Sequence, residues 1–509
     1  MKKYRIPLII FFMNLVFYAL FNYGGIRSPD SEIVFRTTES LVLRNSFAVN
    51  DPIDWNYFGL SLGIDSQRYS IFGPVESIIA VPLLKIAYFL ERNHYVIDSN
   101  YIPISHHLMA DDNPAGIYFL EDKKPPSMNG HYVRFIVSFL NSIIGALAGV
   151  FLYFILIRLT KSEIVSLLTT FLFSFGTLFF PYTGTFFSEP LCTLFMIISF
   201  LFIIKNESGN SVKNIYRNYF FSGLFLGLAT ATHISAVLSI PFYYLIILGQ
   251  KTKDKFNFKH FGFSNSYFTF GLIVFGALLL YYNFARFGNI FETGRTVEND
   301  IYAYYSNPLP GLYGLLLSPG KGLFIYIPLV FLSFILWKSF HNQFPHLSIA
   351  IIGMIIIRLF FISSRSDWHG GFCLGPRYMI IIIPFFLLPI ANGIKVILDK
   401  KEFKKYIIVG IFSFLCIIQQ IYFSVGEIFS YLHIIYRQQK AIGIETLYNN
   451  SLYTNWQYSP VLYLLNYKTG PFILNFLQLN NYLFWVIMCL LFFIIFFIIN
   501  YIVYKKSFK

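Results

Sequence analysis

Long apolar runs separated by short polar connections are the main feature of this sequence. An α-helix of about 18 or more apolar residues is long enough to cross the hydrocarbon core of a lipid bilayer. The pattern predicts about twelve membrane-spanning helices. They are expected at residues 6–24, 133–157, 164–181, 187–204, 219–232, 234–249, 264–283, 322–337, 347–362, 377–393, 406–424 and 482–503. The stretch 219–249 is divided into two spans because a polar residue, His233, lies at its middle and Pro241 follows. One long tilted helix is the alternative.

Composition supports the same class. Of the 509 residues, 56% are hydrophobic and 13% are charged, whereas soluble domains carry about 25% charged residues. So few charges cannot cover a water-facing surface, which excludes a soluble enzyme, a disulfide scaffold, a disordered chain and a coiled coil. We therefore expect an all-α polytopic membrane protein, with residues 1–509 forming a single membrane domain.

The net charge of +14 follows the predicted topology. Of the 39 lysine and arginine residues, 21 lie in the two tails and in every second connection. Basic residues accumulate in short loops on the cytoplasmic side, so both termini are expected to be cytoplasmic. The excess charge therefore requires no nucleic-acid partner. These basic segments are 2–5, 158–161, 205–217, 251–259, 338, 395–405 and 505–509.

The opposite, extracytoplasmic side receives the longer polar segments. They are the first loop, 25–132, and the later loops 284–321, 363–376 and 425–481. Within the first loop, residues 74–90 are apolar but contain Glu76, Pro82 and Lys85. Counting them as a span would reverse the sides of the basic loops. We therefore predict an interfacial or re-entrant helix on the outer membrane surface.

Several acidic groups and one histidine are expected at the outer ends of the spans. Asp30 and Glu32 follow the first span and could act as a general base or as metal ligands; a solvated loop with a helix cap is the alternative. Glu189 is either a cavity-facing carboxylate or a helix-start residue favoured by the helix dipole. For His233, a packed, hydrogen-bonded side chain is the commoner case.

Cations are expected at the same membrane face. Arg286 ends a span, and Lys321 lies in the glycine-rich segment Ser318–Phe324, which lacks the spacing of a P-loop. The loop before span 377–393 contains Arg365, Asp367, Trp368, His369, three glycines and, at its end, Arg377. Interfacial anchoring is the alternative for these arginines. If the outer span ends meet over one cavity, carboxylates beside cations suit a reaction in which a hydroxyl loses a proton while a phosphate leaves.

Five segments carry a resemblance to a known group of enzymes. They are Asp30-Ser-Glu32, Tyr69-Ser-Ile-Phe-Gly73-Pro-Val-Glu-Ser77, Tyr282-Asn-Phe-Ala-Arg-Phe-Gly288, Ser318-Pro-Gly-Lys-Gly-Leu-Phe324 and Trp368-His-Gly-Gly through Gly375-Pro-Arg377. In this order they resemble the polytopic GT-C glycosyltransferases. The likeness is to the protein O-mannosyltransferase-like branch (family thirty-nine) and to the lipid A aminoarabinose transferases. It extends from about residue 25 to residue 377.

The resemblance implies a GT-C-like helix bundle with interfacial helices in its long first loop. Such enzymes transfer a sugar from a polyprenyl-phosphate donor to an acceptor hydroxyl at the outer face of a membrane, with inversion at the sugar carbon. For this chain, the bacterial cytoplasmic membrane is expected. Asp30 would be the base, and Glu32 would assist it or share a divalent metal such as Mg or Mn with it. The carrier phosphate would be bound by Arg286, Lys321, Arg365 and Arg377. Glu189, His233, Asp367 and His369 are further site candidates.

The sequence departs from the protein mannosyltransferases at two points. It has no MIR-type domain, and its acidic motif is Asp-Ser-Glu instead of an adjacent Asp-Glu pair. The acceptor is therefore left open among lipid, glycan and protein. The main alternative is a transporter or flippase for a lipid-linked or anionic substrate, although two related halves are not visible. An oligosaccharide ligase or polymerase of similar architecture is the other.

Overall fold

The computed structural model describes most of the chain. The described residues are 5–49, 59–93, 95, 106–108, 117–119, 130–204, 212–251, 258–295, 305, 307–426, 428, 431–432, 435, 443, 450–464, 471–477 and 479–507. Within these ranges the protein is predominantly α-helical, and its β-structure consists of two short antiparallel hairpins.

The helices are numbered along the chain from the N-terminus. They are α1 (Arg5–Leu20), α2 (Pro29–Arg44), α3 (Val75–Arg92), α4 (Gly130–Ser138), α5 (Leu140–Thr160), α6 (Glu163–Gly176), α7 (Phe179–Tyr182), α8 (Glu189–Ile203), α9 (Val212–Thr232), α10 (Ile240–Lys251), α11 (Phe258–Phe287), α12 (Pro308–Leu317), α13 (Leu323–Tyr326), α14 (Leu329–Gln343), α15 (Pro345–Ser363), α16 (Ile383–Asp399), α17 (Phe403–Val425), α18 (Asn450–Thr454), α19 (Pro460–Tyr463), α20 (Phe472–Leu477) and α21 (Asn481–Ser507). Short 3-10 helices cover Ile234–Ser239, Arg377–Ile382 and Trp456–Tyr458. The strands are β1 (Leu60–Leu62), β2 (Arg68–Ser70), β3 (His106–Leu108) and β4 (Ile117–Phe119).

Every predicted span coincides with helical structure. Within the described ranges, six helical segments are long and apolar enough to cross a membrane. They are Tyr132–Thr160, Gly262–Phe287, Pro345–Ser363, Arg377–Asp399, Phe403–Val425 and Asn481–Lys505. Shorter apolar helices occupy other predicted spans, including Arg5–Leu20 and Glu189–Ile203. An all-α polytopic membrane protein is therefore confirmed, whereas the number of twelve crossings stays a prediction.

The helices differ in how far they are enclosed by the protein. In the most apolar stretch of Arg377–Asp399, 89% of the residues are buried, against 17% for Gly262–Phe287 and 22% for Asn481–Lys505. Since all three segments are strongly apolar, burial separates an interior helix from two that present their side chains to lipid. The interior helix α16 thus carries the chain away from Arg377 through the centre of the bundle.

The stretch 219–249 is broken at His233, as predicted from the sequence. Helix α9 ends at Thr232, and α10 begins after the 3-10 turn Ile234–Ser239. Helix α9 packs closely along α11, where a Cβ on Gly223 or Gly271 would lie less than 3.0 Å from a backbone oxygen of the other helix. Small residues permit such close approach of membrane helices.

The first loop forms a cap built from α2, the β1–β2 hairpin and α3. Helix α3, at Val75–Arg92, corresponds to the predicted interfacial helix and contains Pro82. It packs against α2, where the Ser77 hydroxyl donates to the Val34 carbonyl at 2.9 Å. Its other face exposes Ile78, Ile86 and Phe89. An apolar exposed face on a helix that packs against the protein is consistent with the predicted interfacial position.

Candidate active site

Asp30 lies in the first turn of α2. The helix begins at Pro29, and the hydroxyl oxygen of the capping residue Ser28 accepts a hydrogen bond from the Ser31 amide at 3.2 Å. Ser28, and not Asp30, is therefore the helix cap. The cap leaves the Asp30 carboxylate available for other contacts, in the region where the partial positive charge of a helix N-terminus stabilises an anion.

Arg377 connects Asp30 with Glu189. Its Nη2 lies 2.6 Å from Asp30 Oδ2, and its Nε lies 3.7 Å from Glu189 Oε1. The guanidinium is also held over the rings of Phe187 and Tyr378, with centroids at 4.7 and 5.0 Å. Of the three charged side chains, Asp30 is the most exposed at 18%, against 11% and 3%. Glu189 and Arg377 lie 159 and 347 positions after Asp30 in the sequence, yet the three side chains form one cluster. Asp30 is its most accessible member.

Glu189 combines the two roles that the sequence suggests for it. It is the first residue of α8, followed by Pro190 in the first turn. Yet the same carboxylate is buried and faces the Arg377 guanidinium. The helix start therefore places Glu189, and the arginine accounts for its charge.

Glu32 faces away from this cluster. Its Oε1 is 2.6 Å from Arg134 Nη2 and 2.9 Å from Arg36 Nε, and Arg134 Nε donates to its Oε2 at 3.0 Å. Glu32 and Arg134 are each only 1% exposed. The expected role of Glu32 as a second base or a metal ligand has no geometric support, because two guanidinium groups already occupy its oxygens. Within the described residues, no group of three or more His, Cys, Asp or Glu could hold a metal ion.

Arg365 and Asp367 pair with each other. Arg365 Nε and Nη2 donate to the two carboxylate oxygens of Asp367 at 2.6 and 2.7 Å. Burial acts to raise the pKa of Asp367, but the bonds and charge of Arg365 outweigh it and hold that pKa below its usual range. Tyr378 donates to the same carboxylate at 3.4 Å. This bidentate pair fixes the loop before Arg377. The carboxylate of Asp367 also neutralises the positive charge with which Arg365 was expected to bind a phosphate.

Lys321 holds the loop 363–376 from the other side. Its ammonium donates to the carbonyl oxygens of Gly371 and Cys373 at 2.8 and 2.7 Å, and it lies 3.1 Å from Cys373 Sγ. Lys321 is 1% exposed, and its pKa is lowered by burial. Lys321 therefore stabilises the backbone of this loop. It could contact a phosphate directly only if its hydrogen bonds to Gly371 and Cys373 were broken.

His369 is part of the same support. Its ring stacks on Tyr453 of α18 at 4.3 Å, and its Nδ1 accepts from the Gly371 amide at 2.9 Å. Burial, and then the charge of Lys321, lower the pKa of His369 to about 3. The imidazole is therefore neutral at physiological pH and joins the loop 363–376 to the segment that contains α18.

Arg286 borders a cavity formed by the Phe72–Pro74 segment, the ends of α9 and α11, and the residue before α8. Its polar and charged lining includes Ser188, Thr230, His233, Arg286 and Arg295. Arg286 donates to neutral oxygens at Ser70 (2.6 Å), Asn283 (2.9 Å) and Tyr282 (3.2 Å). None of these three acceptors is a carboxylate, so Arg286 keeps its positive charge beside the cavity, where the charge of Glu292 also acts on it.

His233 connects the cavity to the cluster around Arg377. Its Nδ1 is 2.7 Å from Ser235 Oγ, which accepts from Arg358 Nη2 at 3.0 Å. Arg358 also donates to the Tyr378 carbonyl at 2.7 Å. Four arginines lie near enough to act electrostatically on the histidine; they are Arg358, Arg377, Arg295 and Arg365. The cavity and the Asp30 cluster therefore belong to one continuous polar region.

Two residues of this region are not among the site candidates that the sequence predicts. Arg358 lies within the predicted span 347–362, where an ionisable residue at membrane depth is itself a signal of a functional or paired group. Glu76 is expected only as a charge in the interfacial helix, but it is fully buried and the charge of Glu189 acts on it. Asp30, Glu189 and Arg377 are among the site candidates that the sequence provides.

The family model described as "Dolichyl-phosphate-mannose-protein mannosyltransferase" matches residues 104–287. The predicted resemblance to the GT-C glycosyltransferases is confirmed. The matched family segment extends from the first loop through α8 and α9 to the end of α11. It thus includes Glu189, His233 and Arg286 of the polar region. Among curated protein sequences, none matches the chain significantly.

Solved structures with a similar course of the chain include two of ArnT from Cupriavidus metallidurans. The apo form is 12% identical, with 90% of this chain and 74% of that chain covered and a TM-score of 0.46. The form bound to undecaprenyl phosphate is 13% identical, with 90% and 75% covered and a TM-score of 0.46. The oligosaccharyltransferase AglB from Archaeoglobus fulgidus, in complex with an inhibitory peptide and a dolichol-phosphate, is 10% identical with a TM-score of 0.46. The match to AglB covers 92% of this chain and 57% of AglB, so this chain spans little more than half the length of AglB.

Proposed function

We propose that this protein is a membrane glycosyltransferase that transfers a sugar from a polyprenyl-phosphate carrier to an acceptor hydroxyl. The observation that carries the proposal is the ion pair between Asp30 and Arg377, with Glu189 beside it. The family match to mannosyltransferases that use a lipid-linked donor supports the reaction class. The sugar is left unassigned, and the acceptor is a lipid, a glycan or a protein.

Asp30 is the proposed general base. It is the most accessible carboxylate of the cluster, and Arg377 holds it in a fixed orientation through one oxygen. Its other oxygen is the proposed site of contact with the acceptor. A carboxylate within hydrogen-bond distance of a hydroxyl can accept its proton as that oxygen becomes a nucleophile.

The proposed reaction is a single displacement. The acceptor oxygen forms a bond to the anomeric carbon of the sugar while Asp30 takes the hydroxyl proton. The bond between that carbon and the carrier phosphate oxygen breaks, and its electron pair remains on the phosphate. Attack opposite to the leaving group inverts the configuration at the sugar carbon. The negative charge that grows on the phosphate needs cations already in place.

Arg286 is the strongest of the four proposed phosphate ligands. Arg365 is neutralised by Asp367, Arg377 is shared by two carboxylates, and Lys321 is bound to the backbone under its loop. Arg286 instead borders the cavity and bonds to neutral acceptors. A guanidinium offers five N–H donors, so its bonds to Ser70, Asn283 and Tyr282 do not use all of them. Arg295, on the same cavity wall, is a further candidate.

The proposed location is the bacterial cytoplasmic membrane, with both termini in the cytoplasm and the site on the extracytoplasmic side. Nucleotide sugars are scarce there, so a donor attached to a membrane lipid suits that side. A divalent metal remains a proposal that does not depend on Glu32. Asp30 would be its remaining proposed ligand, and chelation followed by addition of Mg or Mn to the transfer assay tests this requirement.

The decisive test is transfer of radiolabelled sugar from a panel of polyprenyl-phosphate sugars by purified wild type and Asp30→Asn. Loss of a positioned base typically reduces a rate by about 10²–10⁴-fold, and we expect a reduction in that range with the donor that the wild type uses. Because asparagine has nearly the same shape, the melting temperature should change little.

Glu163→Gln is a matched control. Glu163 also lies in a first helical turn after a serine cap, but in α6, on the predicted cytoplasmic side. Its substitution should leave transfer at the wild-type rate. Equal transfer by wild type and Asp30→Asn would show that Asp30 is not the base. If the wild type transferred no sugar but moved the lipid from one leaflet of a vesicle to the other, a flippase would be favoured.

A further inference from the structure

Glu76 is a buried carboxyl group without a visible partner. It lies in the first turn of α3 and is 0% exposed. Neither of its side-chain oxygens has a hydrogen-bond partner among the described residues. An ionised carboxylate removed from water is unstable unless cations or hydrogen-bond donors replace its hydration. The surroundings of Glu76 therefore favour its neutral form.

The backbone prevents Glu76 from turning towards water. Three residues before it, Gly73 packs so closely on the end of α9 that an added Cβ would lie less than 3.0 Å from the carbonyl oxygens of Ala231 and Thr232. One residue after it, Ser77 is buried and bonded to α2 through the Val34 carbonyl. Contacts on both sides thus fix the first turn of α3.

The charges near Glu76 are balanced without it. Glu189, the charged residue that acts on Glu76, faces Arg377 and also feels the charge of Arg358. Asp30 pairs with Arg377. Two carboxylates and two guanidinium groups therefore compensate one another. Burial, and then the charge of Glu189, raise the pKa of Glu76 well above its usual range.

The elements packed against α3 contribute other charged groups, but these are paired away from Glu76 or follow the end of their helix. They include Asp30 (bound to Arg377), Glu32, Arg36 and Arg134 (bound to one another), Glu39 (bound to Tyr88), Arg44 (bound to Ser40 and the Ala48 carbonyl) and His233 after α9 (bound to Ser235). Lys213 and Arg217 lie at the beginning of α9, whereas the segment before α3 packs on the end of that helix. Titration of Glu76 is thus expected to be felt first at Glu189.

We propose that Glu76 is a positioning residue that carries a proton and so leaves Glu189 as the single negative charge on its side of Arg377. In this state Arg377 remains on Asp30. Loss of the proton would add a second negative charge near Glu189, draw the Arg377 guanidinium towards the Glu189 side and release the Asp30 carboxylate from its fixed orientation. The effect on the orientation of Asp30 during catalysis rests on the proposed function. The protonation of Glu76 is independent of that function.

Infrared spectroscopy tests the proton directly. A difference spectrum between wild type and Glu76→Gln, both in detergent at neutral pH, should show the C=O stretching band of a protonated carboxylic acid in the wild type alone. The band should disappear reversibly when the pH of the wild type is raised. Glu163→Gln, which removes an exposed carboxylate, should not remove this band. A carboxylate band in place of the acid band would overturn the proposal.

The pH dependence of transfer tests the positioning role. Glutamine is the neutral isostere, so Glu76→Gln should retain transfer at neutral pH within about threefold of the wild type. The wild type should lose transfer at alkaline pH as Glu76 ionises, and the variant should not show that decline. Glu76→Ala, which also removes the amide-sized group, should reduce transfer by about tenfold or more.

Melting temperatures separate these effects from unfolding. If Glu76→Gln lost transfer at neutral pH while melting like the wild type, Glu76 would act in its ionised form or in proton transfer, and the proposal would be wrong. An unchanged alkaline decline in the variant would also contradict it. Absence of transfer by wild type with every donor would count against the proposed function alone, because the infrared result would still decide the protonation of Glu76.

Discussion

Asp30 and Glu32 are separated by one residue, but they have different partners. Both lie in the first turn of α2, where positions i and i+2 do not face each other. Asp30 is directed to Arg377, whereas Glu32 is directed to Arg36 and Arg134. An acidic pair in the sequence is thus divided between a candidate catalytic group and a structural ion pair.

This division predicts that Glu32→Gln acts through stability. Removing the charge takes from the buried Arg134 the carboxylate with which it pairs, and breaking a buried ion pair typically destabilises a protein by about 3–5 kcal/mol. We expect a clear fall in the melting temperature in detergent. Sugar transfer by the fraction that remains folded should be close to that of the wild type.

Glu402→Gln provides the comparison, since Glu402 pairs with Lys405 at 2.9 Å where both side chains reach solvent. Such exposed pairs contribute about 0–1 kcal/mol, less after screening by salt, so its melting temperature should hardly move. If Glu32→Gln instead abolished transfer at an unchanged melting temperature, Glu32 would be part of the catalytic machinery and its expected role as a second base or ligand would be restored.

The sequence provides the residue types of the candidate site, but it did not predict their pairing. Partner choice depends on where each helix begins and on which side of it a residue lies. Arg377 was expected on a phosphate, yet in the structure its guanidinium is bound to Asp30. Lys321 was expected to reach an anion, but it bonds to two backbone carbonyls of a loop that is 50 residues away in the sequence. Such long-range contacts leave no periodic signal in the sequence.

At the level of elements, hydrophobic periodicity predicted the helices of the spans, but it did not predict α2 or α12, which lie within segments expected to be loops. The sequence pattern also predicted the break at His233 and a helix at the position of α3, whose place at the membrane surface stays a prediction. It did not predict the β1–β2 hairpin, whose Ser70 carbonyl accepts from Arg286. Strands of three residues are too short to give a pattern of alternation, and part of the support of this hairpin comes from the distant end of α11.

The contact between the segment before α3 and the end of α9 should be sensitive to a single methyl group. In Gly73→Ala, the new Cβ would lie less than 3.0 Å from two carbonyl oxygens of α9, so one element must move. Overpacking of this kind typically costs about 1–3 kcal/mol. We expect a lower melting temperature together with reduced transfer, because the same segment lines the cavity next to Arg286.

Gly276→Ala is the corresponding control within α11. No atom lies within 4 Å of the position of an added Cβ there, and alanine is favoured over glycine in a helix by up to about 1 kcal/mol. This variant should melt at or above the wild-type temperature and transfer sugar normally. Equal behaviour of the two variants would mean that the segment around Gly73 can move away from α9 at little cost in free energy.

For the whole molecule, the distribution of charge is consistent with the position of the site. The basic connections of the predicted cytoplasmic side contain no member of the Asp30 cluster. The cluster is formed by the opposite ends of the helices, at α2, α8 and the segment that leads into α16. An odd number of crossings between any two of these ends would divide the cluster across the membrane, so its assembly constrains the topology as strongly as the basic residues do.

Two cysteine substitutions test this topology in intact cells. Asn289 follows α11 on the predicted extracytoplasmic side, Asn342 lies near the end of α14 on the predicted cytoplasmic side, and both are exposed. A membrane-impermeant maleimide should therefore label Asn289→Cys without permeabilisation and Asn342→Cys only after it. The native cysteines are buried or half-buried, so wild type gives the background.

The reverse pattern would place the Asp30 cluster in the cytoplasm, where nucleotide sugars are abundant. The topological reason for expecting a lipid-linked donor would then be lost. Labelling of both variants before permeabilisation would show that α14 does not return to the cytoplasm, and the predicted number of crossings would have to change.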